Sequence, residues 1–343
     1  MGGFSKNHID SYEKKISIYQ LHQMCQDGRL VFPSVPAKTR AKKIERVSGT
    51  LEAVLMGMVL PVIYVSERQD GSLLVLDASD RLQYLMEFLE GRCPLDGLEF
   101  YPELNGCKME ELEWQFPRIT SLIHDYQLFF QIIEYTTPKY MHMQMGNYIE
   151  KWNFTREQGI RNELYGKELQ DSLFFLEQSL GQSAYFFSKQ KLNRQYMILR
   201  TLMYRFVFDG DIRMKDSGET GLQQLLDETA ERLWEKDLEV ISDDFRDATE
   251  RLIKWENRGH HGLASERGKE GQAKILGYLY NIVWICREKG YSVEKGLEKI
   301  FLNEQIWENI KREKVTFVNI RRHYHEMEKR LSEYAELHEN TGI

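Results

Sequence analysis

Apolar residues recur at regular spacings along most of the chain, and the spacing changes character partway along it. Between Ser17 and Asp27 the positions Ile18, Leu21, Met24 and Cys25 follow a helical period that Asp27-Gly28 stops, and Leu30-Val31-Phe32 reads as a short extended run. From Lys43 to Met58 the apolar positions Ile44, Val47, Leu51, Val54, Leu55 and Met58 predict an amphipathic helix that Leu60-Pro61 ends. Val62 to Val65, the turn residues Gln69-Asp70-Gly71 and Leu73 to Leu76 predict strand, hairpin and strand. Leu82, Leu85, Met86 and Leu89 mark a helix that stops at Gly91. A short helical piece near Ile119 to Ile123 precedes a further strand, Leu128 to Tyr135.

Past Pro138 the period is helical throughout: Met141 to Trp152, Thr155 to Tyr165, Leu169 to Leu180, Leu192 to Phe208, Leu222 to Trp255, Ala273 to Arg287 and Phe317 to Leu337. The Gly-rich, charged stretch His260 to Gly271 predicts a mobile linker. The pattern therefore predicts an α+β chain, a small mixed sheet with helices in domain 1–137 and a large all-helical domain in 138–343. No period of a solenoid repeat is present.

Composition narrows this only slightly. A chain of 343 residues with 42% hydrophobic and 29% charged residues and 7 prolines is that of a globular protein with room for two domains. The run Val54 to Val65, interrupted by Gly57 and Pro61, is too short to span a bilayer, and Met1-Gly2-Gly3-Phe4-Ser5-Lys6 opens no apolar signal segment. The expectation is a cytoplasmic protein with no membrane partner. Cys25, Cys93, Cys107 and Cys286 are scattered and read as buried thiols. The net charge of -7 argues against a protein that coats nucleic acid by bulk attraction. That average hides one cationic run, Lys38, Arg40, Lys42, Lys43 and Arg46, interrupted by the single acid Glu45. Such a run is either solvated helix surface or the place where a nucleotide or nucleic acid is met.

The most informative segment is Val75-Leu76-Asp77-Ala78-Ser79-Asp80-Arg81-Leu82. A carboxylate at a strand end, a tight turn and an arginine in the first helical turn can place amides and a guanidinium before an anion. The plain alternative is that Asp77 caps the helix and Asp80 complements its dipole, with Arg81 on the surface.

Leu60-Pro61-Val62-Ile63-Tyr64-Val65, then Leu74-Val75-Leu76-Asp77 with Arg81-Leu82 and a helix ending Leu89-Glu90-Gly91, resembles the N-terminal domain of GmrSD-type restriction endonucleases. Leu51 to Gly57 is similar to the family helix that leads into its first core strand. Asn147 and Phe154-Thr155-Arg156-Glu157-Gln158-Gly159-Ile160-Arg161-Asn162-Glu163-Leu164 are similar to a later family segment. The resemblance covers roughly residues 15 to 210 and implies a ParB/sulfiredoxin-like fold, hydrolysis of nucleoside triphosphates or cutting of DNA, and a role in defence against phage genomes. The family signature D-G-Q-Q-R keeps its ends here, Asp77 and Arg81, and has Ala78, Ser79 and Asp80 between them; an upstream F-Q-R segment, due near Pro36-Ala37-Lys38, lacks its Gln-Arg. An added methyl at Ala78 and an added charge at Asp80 both work against a phosphate.

Two readings stay open. In one, Asp77 and Asp80 hold Mg2+, and Asp77, Asp80 and Arg81 act in phosphoryl transfer to water. Lys38, Arg40, Lys42, Lys43, Arg46, Ser79 and Asn147 then bind an NTP, DNA or RNA. In the other, the site is inactive and the fold is a binding or scaffold protein that recruits a separate nuclease or other defence partner. No segment after residue 210 matches the family's second, His-Asn-His nuclease domain. His260-His261 and the pair His323 and His325 do not share helix faces, which argues against metal chelation. Phe174-Phe175 and Tyr185-Phe186-Phe187 read as core or interdomain packing rather than as a base-stacking platform.

Overall fold

A computed structural model describes residues 8–33, 40–149, 151–212, 221–258, 270–301 and 304–339. It is mixed α+β, with one five-stranded sheet and, among the described residues, fifteen α-helices. The chain forms two compact units, Met1–Leu164 and Tyr165–Ile343.

The first unit is built on the sheet. Its strands are β1 (Ser11–Ser17), β2 (Leu30–Val31), β3 (Ile63–Glu67), β4 (Leu73–Val75) and β5 (Gln127–Ile133), in spatial order β1-β5-β3-β4-β2. The β1/β5 and β3/β4 pairs are antiparallel, while β3/β5 and β2/β4 are parallel. The expected hairpin is present: Val65 pairs with Val75 and Glu67 with Leu73 across a turn in which Asp70 Oδ1 accepts from Ser72 N–H at 2.9 Å. Leu73 and Val75 join the core on one sheet face, and Leu74 and Leu76 the core on the other. A strand covered on both faces has no polar side to show, so its sequence is an unbroken apolar run.

The first face carries α1 (Ile18–Gln26), α2 (Arg40–Leu55), α3 (Ser79–Leu89), α4 (Met109–Gln115) and α5 (Pro117–Asp125), which bury Leu21, Val47, Leu51, Leu82, Leu85, Leu112 and Ile123. Ser17 caps α1 in a reciprocal capping box with Gln20. The second face carries α6 (Lys139–Ile149) and α7 (Phe154–Tyr165), through Met143 and Ile160, with Trp152 from the connection between them. Both helices lie beyond residue 137, where the change of period sets the sequence boundary; the structural division follows Leu164 because their apolar faces cover Leu74, Leu76 and Ile133.

The second unit is helical, as expected: α8 (Lys167–Leu180), α9 (Lys191–Phe208), α10 (Leu222–Leu233), α11 (Leu238–Asn257), α12 (Glu270–Glu288), α13 (Val293–Phe301), α14 (Glu304–Arg312) and α15 (Phe317–Glu339). The expected single helix from Leu222 to Trp255 is two, because the Asp237 side chain accepts from the amides of Glu239 and Val240 at 3.0 and 3.3 Å and starts α11 afresh. Arg200 is fully buried on α9, donating to Glu270 Oε2 at 2.5 Å and to Tyr196 Oη at 3.0 Å. Most of the expected linker, and His260-His261 within it, lies outside the described residues. His323 is buried between Tyr278, 2.9 Å from its Nδ1, and Glu313, while His325 is exposed beside Glu328. All four cysteines are free thiols; Cys93 and Cys286 are buried and Cys25 and Cys107 half-buried. No helix of the described residues is long and apolar enough to cross a membrane.

Candidate functional site

The turn from β4 into α3 is held by three features. Leu76 and Tyr64 are joined by Leu76 N–H donating to the Tyr64 carbonyl at 3.0 Å. One residue on, Asp77 Oδ1 accepts from the Tyr64 amide at 2.7 Å, so the carboxylate closes the end of the β3/β4 ladder. Ala78 then takes a left-handed conformation, φ 50° and ψ 16°, and is the one non-glycine residue with positive φ among the described residues. A residue with a Cβ is strained there, whereas glycine is not.

The N-cap residue of α3, Ala78, has no side chain that can accept a hydrogen bond. The first amides of the helix, at Ser79, Asp80 and Arg81, point toward this end, where the positive pole of the helix also lies. A cleft of about 260 Å³ opens there, lined among the described residues by Arg46, Asp77, Ala78, Ser79, Asp80, Ile149 and Arg156. Arg46 comes from α2 and lies 3.5 Å from Asp80 Oδ2. Arg156 comes from the first turn of α7; its Nη2 donates to the Leu76 carbonyl at 3.0 Å and reaches Ser79 Oγ at 3.4 Å. Ser79 is buried, and its hydroxyl is set between the turn and the Arg156 guanidinium.

The residues singled out in the sequence divide accordingly. Asp77, Ser79, Asp80 and Arg46 are brought together. Arg81 is half-buried near Asp77 and Tyr126 but does not line the cleft; burial pulls its guanidinium below the ordinary value, and the charge of Asp77 opposes this. Asn147 is on α6 and is not a lining residue, although Ile149 from the same helix is. Lys38 lies outside the described residues, as do the side chains of Arg40, Lys42 and Lys43, whose backbone forms the first turn of α2. Arg156 is the residue not singled out as a site residue. Its signal was present, since it belongs to the Phe154 to Leu164 segment that carries part of the resemblance, but spacing alone does not tie a residue 80 positions away to Leu76.

Four charges line the cleft, two arginines and two aspartates, with the Arg81 guanidinium beside Asp77 and the α3 pole adding positive character. Both carboxylates already have protein partners, Tyr64 N–H for Asp77 and Arg46 for Asp80. Among the described residues no group of three His, Cys, Asp or Glu could hold a metal ion. Asp77 and Asp80 are two carboxylates and would hold a divalent ion together with further oxygens, which phosphates supply for Mg2+. Compared with known proteins, the chain matches no family model, no curated protein and no solved structure.

Proposed function

We propose that the cleft at the start of α3 binds the phosphate of a nucleotide or nucleic acid. The observation that carries this reading is the convergence of Arg46 and Arg156, from two separate helices, on the N-terminus of α3 behind a strand-end carboxylate. Guanidinium groups and helix amides together suit a tetrahedral oxyanion, the arginines by paired donors and the amides by direction.

The resemblance to the GmrSD-type N-terminal domain supports placing that phosphate on an NTP, DNA or RNA, in a bacterial protein of defence against phage genomes. Binding is the favoured role. Asp77 is engaged in closing the sheet and Asp80 in pairing with Arg46, so neither carboxylate is set aside for activating water. In a scaffold of this kind, the ligand-bound cleft recruits a separate nuclease. Where the ligand carries Mg2+, Asp77 and Asp80 are the carboxylates that would meet the ion, which supplies charge neutralisation at the phosphate.

The test is a ligand panel on the full chain: ATP, GTP, CTP and UTP with and without Mg2+, and single- and double-stranded oligonucleotides, read by thermal unfolding and by product release. The expected result is a raised Tm with at least one phosphate-bearing ligand and no product above that of Asp77→Ala. Unchanged Tm across the panel would overturn the binding reading, while turnover lost in both Asp77→Ala and Arg81→Ala would restore the hydrolase.

A further inference from the structure

The aromatic segments of the helical unit split into two populations. Phe186 and Phe187 are buried, and Phe187 stacks on Phe245 and Tyr280 at centroid distances of 5.5 and 6.0 Å, as expected of core. Phe174, Phe175 and Tyr185 are instead exposed by 50%, 39% and 59%. A single exposed ring is ordinary. Two of these rings have a cation beside them: Lys191 Nζ stands 5.9 Å from the Phe174 centroid, and the Arg194 guanidinium carbon 5.1 Å from that of Tyr185.

Lys191 and Arg194 share the first turn of α9, three residues apart, in a turn that contains no acidic residue. Arg194 is held in place by the carbonyls of Ser188 and Lys189, at 2.9 and 3.2 Å, and by Glu177. Its plane is thus fixed rather than swinging in solvent. Lys189 is exposed two residues before Lys191. The acids close by in sequence are Glu177, which is taken up by Arg194, and Asp171, one turn before Phe174 on α8. The order along this face is ring, ammonium, guanidinium, ring.

We propose that this face binds a single strand of nucleic acid, with bases stacked on Phe174 and Tyr185 and phosphates held by the exposed Lys189 and Lys191, while Arg194, tied to Glu177, backs the Tyr185 ring. Exposed rings offer planes on which any base can stack, and the cations beside them match the phosphates between bases. A duplex keeps its bases stacked on each other and presents no free plane, so the surface selects single strands. The face belongs to the helical unit and shares no residue with the cleft on α3.

The experiment is fluorescence anisotropy of a fluorescein-labelled oligothymidylate of about 20 nucleotides with the full chain, at low and physiological salt, with a duplex of equal length as competitor. The expected result is binding that weakens with salt and that the duplex competes for poorly. Phe174→Ala/Tyr185→Ala should weaken it about tenfold or more. Phe174→Leu/Tyr185→Leu keeps apolar bulk but removes the planes, and should lose as much while unfolding at the same temperature. Lys191→Glu should weaken binding and flatten the salt slope. Absence of binding, equal affinity for duplex, or ring variants that bind as wild type would overturn the proposal. Loss of binding in Arg46→Ala/Arg156→Ala alone would assign the strand to the cleft instead. Ring variants that alter self-association in sedimentation but leave oligothymidylate binding intact would mark the face as a protein interface.

Discussion

The Arg156 guanidinium donates to the Leu76 carbonyl at 3.0 Å across 80 residues of chain, tying the start of α7 to the residue before Asp77. One side chain thus fixes the turn and supplies positive charge to the cleft it forms. Losing a hydrogen bond from a charged group removes about 1.5–3 kcal/mol. Arg156→Ala is therefore expected to destabilise the N-terminal unit by about that amount, measured by urea unfolding. Arg156→Lys, which keeps the charge but not the planar fork, should recover only part of it.

Ala78 holds φ 50° where glycine would sit without strain. A left-handed residue with a Cβ costs about 1–2 kcal/mol, and glycine gives back roughly 0.5–1 kcal/mol of this through its greater freedom in the unfolded chain. Ala78→Gly is expected to stabilise by up to about 1 kcal/mol, and Ala78→Val to destabilise by more than that, since a β-branched residue is a poorer fit to positive φ. Thermal unfolding of the two variants side by side gives the sign of each.

Gly146 allows the Trp152 ring to lie directly against α6: a Cβ built at Gly146 would stand 1.7 Å from Trp152 Cη2. Trp152 is buried in the core under β4 together with Ile160 of α7. Gly146→Ala must push the indole away, and overpacking of this kind costs about 1–3 kcal/mol. Because Arg156 follows Trp152 by one turn of chain, the same variant should weaken phosphate binding, although residue 146 does not line the cleft. Titration of Gly146→Ala with the best ligand of the panel checks this.

His142 is buried with Nδ1 2.7 Å from Ser66 Oγ and Nε2 2.9 Å from the Thr137 carbonyl. Burial outweighs the Thr137 carbonyl and pushes its pKa down to about 4. A histidine lowered in the folded state takes up its proton first in the unfolded chain. Its contribution is full above about pH 6.5 and is lost as pH falls from 6.5 towards 4, by about 3 kcal/mol in all. Urea unfolding at pH 7 and pH 5 should show this loss, and His142→Gln should flatten that part of the profile.

Much of the frame was legible because it is written in period. The α2, β3, hairpin, β4 and α3 succession follows from Ile44 to Leu89, and the Asp70-Gly71 turn announces itself. Strand β1 was not legible: Ser11-Tyr12-Glu13-Lys14-Lys15 is exposed along an edge, so no apolar alternation marks it, and it becomes a strand only by pairing with β5. In the site, Asp77, Ser79, Asp80 and Arg46 could be named because a strand end followed by a helix start is a local pattern. Arg156 needed the docking of α7 beneath β4, which is long-range. The aromatic segments divide for a related reason: Phe174 and Phe187 look alike in sequence, and only packing separates the exposed ring from the buried one.

The most direct test of the phosphate cleft uses the ion pair within it. Arg46 and Asp80 lie 3.5 Å apart with opposite charge, so an anion entering the cleft should feel their removal with opposite signs. Isothermal titration of the full chain with the best phosphate-bearing ligand, in the absence of Mg2+, should find Arg46→Ala weaker by about tenfold and Asp80→Asn tighter by a factor of a few, each corresponding to roughly 1 kcal/mol. Unchanged affinity in both variants, or a shift of the same sign in both, would contradict the account.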